Sequence, residues 1–135
     1  MKYTEQELRS MAIEATERAY SPYSKCKVGA ALLAKSGKVY LGCNIENAAY
    51  GAVNCAERTA FFTAVCEGER DFAAIAIAGG REGEVGDVCA PCGICRQVMA
   101  EFCTPDFEVV LAFGEGVRSY RLDEILPLSF TKENL

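Results

Sequence analysis

Apolar positions return every three to four residues over 4–19, at Leu8, Met11, Ala12, Ala15 and Ala19, which is the period of a helix with one face on a core. Thr4 followed three residues later by Glu7 has the spacing of a capping box and marks its start. Pro22, within Tyr20-Ser21-Pro22-Tyr23-Ser24, forbids the helix from continuing. Residues 27–34 and 39–43 read as two antiparallel strands joined by the tight turn Ser36-Gly37-Lys38. Residues 44–54 follow no period, are rich in Asn, Gly and Tyr, and read as an ordered loop.

The helical period resumes over 55–67, with Ala56, Ala60, Phe61, Ala64 and Val65 in step and Gly68 placed to terminate it. Residues 72–78 are apolar without alternation, which predicts a central strand buried on both faces and helices covering each side. Pro91 suits the first position of a third helix running to about Phe102, since it has no amide proton to leave unpaired. Residues 107–113 read as another apolar strand, 117–122 as a short last one, and 123–126 as a turn of helix before Pro127. The order α-β-β-α-β-α-β-β-(α), without repeats or linkers, predicts a single α/β domain over 1–135: a three-layer α-β-α sandwich on a mixed central sheet of about five strands.

Composition narrows the function. The chain has 135 residues, half of them apolar, enough for a core and far from the disordered range. Its longest apolar run falls well short of the roughly 20 residues that span a bilayer. The opening MKYTEQELRSM carries charges where a secretory leader has its apolar core, so a cytoplasmic location is expected. With 14 Lys and Arg against 19 Asp and Glu, the net charge is −5, which favours a small-molecule substrate over a nucleic acid polymer. There is no glycine-rich phosphate loop. The chain also lacks histidine, which excludes Ser-His-Asp, Cys-His and HExxH chemistry.

Eight cysteines remain as candidates. A disulfide framework suits small secreted chains and fits poorly here. Cys92 and Cys95 in Pro91-Cys92-Gly93-Ile94-Cys95 form a Cys-x2-Cys pair, open to zinc binding, redox work or plain packing. The pair follows a loop late in the chain instead of closing the first strand of a βαβ unit, which shifts the weight to metal. A catalytic zinc typically takes three protein donors. Cys55 begins the second helix as Cys92 begins the third, so two helix starts beside a central sheet can bring three sulfurs to one point, where helix dipoles favour thiolate charge. Zinc with three thiolates is electron-rich and calls for positive charge nearby, for which Arg58 and Arg96 are placed. Glu57, two residues after Cys55, points away from it on the first helical turn and is free to move protons without binding the metal.

Cys55-Ala56-Glu57-Arg58 and Pro91-Cys92-Gly93-Ile94-Cys95-Arg96-Gln97 resemble the two zinc signatures of the cytidine deaminase family, whose three-cysteine site and non-ligating Glu are a known scheme. The likeness extends to Tyr20-Ser21-Pro22-Tyr23-Ser24, Val28-Gly29-Ala30-Ala31-Leu32, Gly42-Cys43-Asn44-Ile45-Glu46-Asn47-Ala48 and Glu124-Ile125-Leu126-Pro127. It implies a cytidine deaminase-like fold and one Zn2+ per chain held by Cys55, Cys92 and Cys95. It implies Glu57 as proton shuttle in the hydrolytic deamination of free cytidine and 2'-deoxycytidine, and Asn44 and Glu46 on the ribose hydroxyls. By the same resemblance, the Ala56 backbone N–H faces the base carbonyl, carbonyls just before Pro91 receive the leaving amino group, and Tyr50 helps line the site. Cys26 stands where the family commonly places an aromatic against the base. Short members resemble homotetramers whose sites are completed by neighbouring chains, which makes Phe130 the aromatic lent across the interface. Two alternatives stay open: a deaminase of another free aminated nucleoside or base, and a structural zinc protein with Cys89 as the fourth donor.

Overall fold

A computed structural model describes residues 2–135. Helix α1 (Glu5–Thr16) opens with the expected capping box: the Glu7 amide donates to Thr4 Oγ1 at 3.1 Å and the Thr4 amide to Glu7 Oε1 at 2.8 Å. It ends three residues earlier than its apolar period predicts. The amides of Glu17, Arg18 and Ala19 turn to carbonyls three residues back, and the Tyr20 amide goes to the Asn44 carbonyl at 3.0 Å. A bond across 24 residues thus outcompetes the last helical turn.

Strands β1 (Cys26–Ala34) and β2 (Val39–Cys43) form the predicted hairpin, and β3 (Phe72–Arg81) lies at the centre. With β4 (Glu108–Phe113) and β5 (Gly116–Arg121) they make a five-stranded mixed sheet in the order β2-β1-β3-β4-β5. Only the β3–β4 pair is parallel. Helix α1 covers one face, against Ala31, Leu33, Ala74, Ala76, Ala78 and Val110. Helices α2 (Ala56–Cys66) and α3 (Gly93–Phe102) cover the other, over Ala30, Leu32, Ile75, Ile77 and Val109. On that face Phe61 is fully buried, with its ring centroid 5.2 Å from Phe72 and 6.1 Å from Phe107. A side chain of this size contributes about 1.5–3 kcal/mol on burial, so Phe61 anchors α2 on the sheet. A single turn, α4 (Leu122–Ile125), follows β5 and buries Leu122 in the same core.

The expected start of the third helix is corrected. Pro91 lies outside α3, which begins at Gly93 with Cys92 as its extended N-cap. The Pro91 carbonyl accepts from Arg96 Nε at 2.7 Å, which holds this residue as the buried end of the preceding loop. Residues 44–54 are ordered by pairing that leaves no sequence period: Ile45 bridges both Tyr20 and Asn54, and Tyr50–Ala52 form a 3-10 turn.

A glycine on each side lets a helix approach the sheet. A Cβ at Gly29 would lie 2.0 Å from the Ala12 carbonyl oxygen of α1, and one at Gly42 would lie 2.3 Å from the Ala56 oxygen and 2.5 Å from the Ala60 nitrogen of α2. Gly42 therefore sets the height of the helix that starts after Cys55. We expect Gly42→Ala to destabilise the chain by about 3 kcal/mol, the upper end of overpacking, in urea unfolding. Gly86→Ala, with open space around its Cβ, should stay within about 0.5 kcal/mol of the parent.

Candidate active site

Cys55 and Cys92 occupy the same position on two helices: each is an N-cap with extended backbone, and neither makes the usual side-chain capping bond. Their sulfurs are thereby left to face each other at 3.8 Å. Cys95, on the first turn of α3, is buried and stands 3.5 Å from Cys92, and all three sulfurs lie within 4.8 Å of one another. These spacings suit a metal. Zinc bound to thiolates at about 2.3 Å requires sulfurs about 3.8 Å apart at tetrahedral corners, close to the two spacings that Cys92 makes with Cys55 and Cys95. Cys89 is not among the sulfurs of this cluster; burial pushes its thiol up to about 11, which keeps it protonated. A four-sulfur structural site thus finds no fourth donor at Cys89.

The electrostatics favour negative charge on sulfur. A hydrogen bond from the Cys95 thiol, aided by Arg58 and Cys92 and opposed by burial, brings Cys55 down to about 5. The same bond, together with burial, drives Cys95 upward, so the first proton leaves from Cys55. Arg58 donates from Nη2 to Cys55 Sγ at 3.2 Å and supplies the cation expected beside the sulfurs. Its Nε is the one buried side-chain nitrogen or oxygen among the described residues that lacks a hydrogen-bond partner. Arg96, the other candidate for that charge, instead spends its guanidinium on backbone carbonyls.

Glu57 follows Cys55 into α2 and is only 4% exposed. Burial first, and the negative Cys55 second, raise its carboxyl to about 7, while its own amide, Arg58 and the Cys95 thiol pull the other way. A carboxyl that is half-ionised near neutrality beside a metal cluster is suited to passing protons in both directions. Ala56, also fully buried, is the first residue of α2, where main-chain N–H groups have no partner within the helix.

The loop residues assemble around the start of β1. Asn44 accepts from the Val28 amide at 2.9 Å and donates to the Cys26 carbonyl at 2.8 Å. Glu46 receives the Tyr23 and Ser24 amides on Oε1 at 3.0 and 3.2 Å and the Ser24 hydroxyl on Oε2. These donors, the Ser24 hydroxyl foremost, lower its pKa and keep it ionised. Ser24 also accepts from the Cys26 amide at 3.1 Å, so it ties Glu46 to Cys26. The sequence reading did not assign it a role, although its place after Pro22 in a tight turn was the available signal. Thr59 was missed as well. Its hydroxyl bonds the Cys43 and Cys55 carbonyls and receives Asn54 Nδ2, fastening the loop to α2.

Tyr50, 82% exposed, joins Tyr23, Ser24, Glu46, Asn47 and Val53 around a cavity of about 290 Å3. Phe130, 63% exposed, lies in the C-terminal tail, where its carbonyl accepts from Gln97 Nε2 at 2.8 Å. A larger cavity of about 640 Å3 sits between that tail and the end of α3 and contains none of the cysteines of the cluster or Glu57. Its size does not make it the reactive site, because the convergent polar groups lie elsewhere.

A helix-flanked mixed sheet carrying three sulfurs able to hold one metal ion beside a buried carboxyl defines a class, the α/β proteins with a histidine-free metal site. Residues 2–111 match the cytidine and deoxycytidylate deaminase zinc-binding region, and the chain belongs to this family. It is 52% identical over 123 residues to a cytidine deaminase of Sporosarcina psychrophila, covering 90% of this chain and 88% of that protein. The identity is 51% over 125 residues to a cytidine deaminase of Halalkalibacterium halodurans, with 92% of each chain covered. Among solved structures, the 1.6 Å crystal structure of cytidine deaminase from Burkholderia pseudomallei superposes with a TM-score of 0.87 at 50% identity, over 95% of this chain and 100% of that one.

Separate Cys55→Ala, Cys92→Ala and Cys95→Ala variants should each lose stoichiometric zinc on dialysis, whereas Cys89→Ser should retain it. Metal analysis of folded protein decides this; loss of zinc from Cys89→Ser would restore the four-donor structural reading.

Proposed function

We propose that this chain is a zinc-dependent hydrolase that converts free cytidine and 2'-deoxycytidine to uridine and 2'-deoxyuridine with release of ammonia. The observation that carries this reading is the three-sulfur cluster with Glu57 buried beside it at a proton affinity near neutrality. Cys55, Cys92 and Cys95 hold the zinc, which when bound polarises water so that it becomes a nucleophile near pH 7. Glu57 accepts a proton from the attacking water and delivers one to N3 of the ring as oxygen bonds to C4. It then takes the proton that remains on the added oxygen and passes it to the amino group, so that the C4–N bond breaks, ammonia departs and the carbonyl of uracil forms. One water is consumed and no redox partner is needed. Arg58 offsets the charge of the sulfurs, and the Ala56 N–H binds the base carbonyl.

Glu46 and Asn44 recognise the ribose hydroxyls. Their existing hydrogen bonds support this, because both side chains are held in fixed orientation and each retains unused bonding capacity. Cys26 flanks the base with a small polarizable thiol, and Tyr50 lines the nucleoside pocket. The whole chain acts as one catalytic domain in the cytoplasm. Four copies assemble so that Phe130 of one closes the site of another, a role its exposure supports. No helix among the described residues is long and apolar enough to cross a membrane.

A nucleoside panel with ammonia release as the readout should show turnover of cytidine and deoxycytidine, with little on adenosine or single-stranded DNA. Glu57→Gln should keep its zinc and lose at least about 100-fold in rate; an unchanged rate would remove Glu57 as the proton carrier.

Glu46→Ala should raise KM for cytidine by about 10- to 100-fold, the scale of a lost hydrogen bond to a charged group, with a smaller change in kcat. Wild-type KM in the folded variant would take Glu46 out of the sugar subsite.

A further inference from the structure

Helix α3 is tied to the C-terminal segment at Arg96, Gln97 and Glu101, and only the Arg96 tie reaches back to the cysteines. Arg96 Nη1 donates to the Ile125 carbonyl at 2.6 Å, at the end of α4, while its Nε donates to the Pro91 carbonyl at 2.7 Å. Gln97 Nε2 donates to the Phe130 carbonyl at 2.8 Å, and that side chain makes no hydrogen bond to Pro91 or the cysteines. The Arg96 amide also accepts its place in the first helical bond of α3, donating to the Cys92 carbonyl at 3.0 Å. One residue therefore fixes the carbonyls on both sides of the Pro91–Cys92 step, and its far prong rests on an element anchored in the core by Leu122.

This arrangement meets a specific need. Cys92 is exposed and, as the N-cap, offers α3 only its carbonyl, so no main-chain bond of the helix fixes the peptide before it. Pro91 has no amide with which to bind a neighbour. Its carbonyl is the remaining handle, and Arg96 holds it. A planar fork bonding two carbonyls at once is a task for guanidinium geometry that an ammonium does not reproduce.

We infer that Arg96 is a positioning residue for the metal site: by clamping the Pro91 carbonyl against the Ile125 carbonyl it holds the Cys92 sulfur at its spacing from Cys55 and Cys95. The inference rests on the reading of these three cysteines as zinc donors. It assigns Arg96 a mechanical role in place of the electrostatic one that Arg58 fills.

The test measures zinc affinity by competition with a chromophoric chelator, alongside the sulfur-to-metal charge-transfer absorption of the cobalt-loaded protein. Thermal melts confirm that each variant is folded. Arg96→Ala should bind zinc about 10- to 100-fold more weakly, the usual effect of removing a group that orients a ligand, with an altered cobalt spectrum. Arg96→Lys, which keeps the charge but not the fork, should show most of that loss, and it decides the matter if the alanine variant does not fold. Gln97→Ala should match the wild type in both readouts. Wild-type zinc affinity and cobalt spectrum in folded Arg96→Ala, or in folded Arg96→Lys, would overturn the inference. An equal loss in Gln97→Ala would overturn it too, by showing that any tie to the tail suffices. Failure of the wild type to bind zinc would instead strike the underlying functional reading.

Discussion

Two helix N-termini converge at one end of the sheet, and each presents a cysteine where a helix normally presents a capping oxygen. The rest of the site follows from that substitution. A Ser or Asp at the N-cap would turn inward to satisfy the first-turn amides of its own helix. Cys55 and Cys92 make no such bond and direct sulfur outward, toward each other. The positive end of each helix and the Arg58 guanidinium then stabilise the charge that the sulfurs must carry.

Convergence at the scale of a tetrahedron edge demands that both helices sit at a defined height on the sheet. Gly42 provides this for α2 by removing the side chain that would push Ala56 and Ala60 away, and the Phe61 cluster holds the helix down once it is there. For α3 the constraint is applied from above, by the Arg96 fork across Pro91 and Ile125. Glu57 is buried on the first turn of α2, and the loss of solvation raises its proton affinity to the range useful at neutral pH.

Much of this was legible from residue order. Helical periods, apolar runs and turn residues located the α-helices and the five strands, though not the 3-10 turns at Tyr50–Ala52 and Lys132–Asn134, and the spacing of Cys55 against Cys92 and Cys95, with Glu57 beside them, pointed to the site. What escaped was decided by bonds between residues far apart in the chain. The early end of α1 depends on the Tyr20 amide meeting the Asn44 carbonyl, and the exclusion of Pro91 from α3 accompanies its bond to Arg96. Order in residues 44–54 comes from backbone bridges of Ile45 to Tyr20 and Asn54, which impose no pattern on side-chain polarity. Ser24 looks like an ordinary turn residue until Glu46 is brought against it. Arg58 and Arg96 look alike in sequence, each beside a cysteine motif, and only their partners separate a charge-compensating role from a positioning one.

The central claim is that three sulfurs hold one zinc and leave its fourth position to a lighter atom. X-ray absorption at the zinc edge of the purified protein, with metal content measured on the same sample, tests it directly. The account predicts one zinc per chain with three sulfur neighbours at about 2.3 Å and one oxygen or nitrogen neighbour near 2.0 Å. A shell of four sulfurs, or of two, would contradict it.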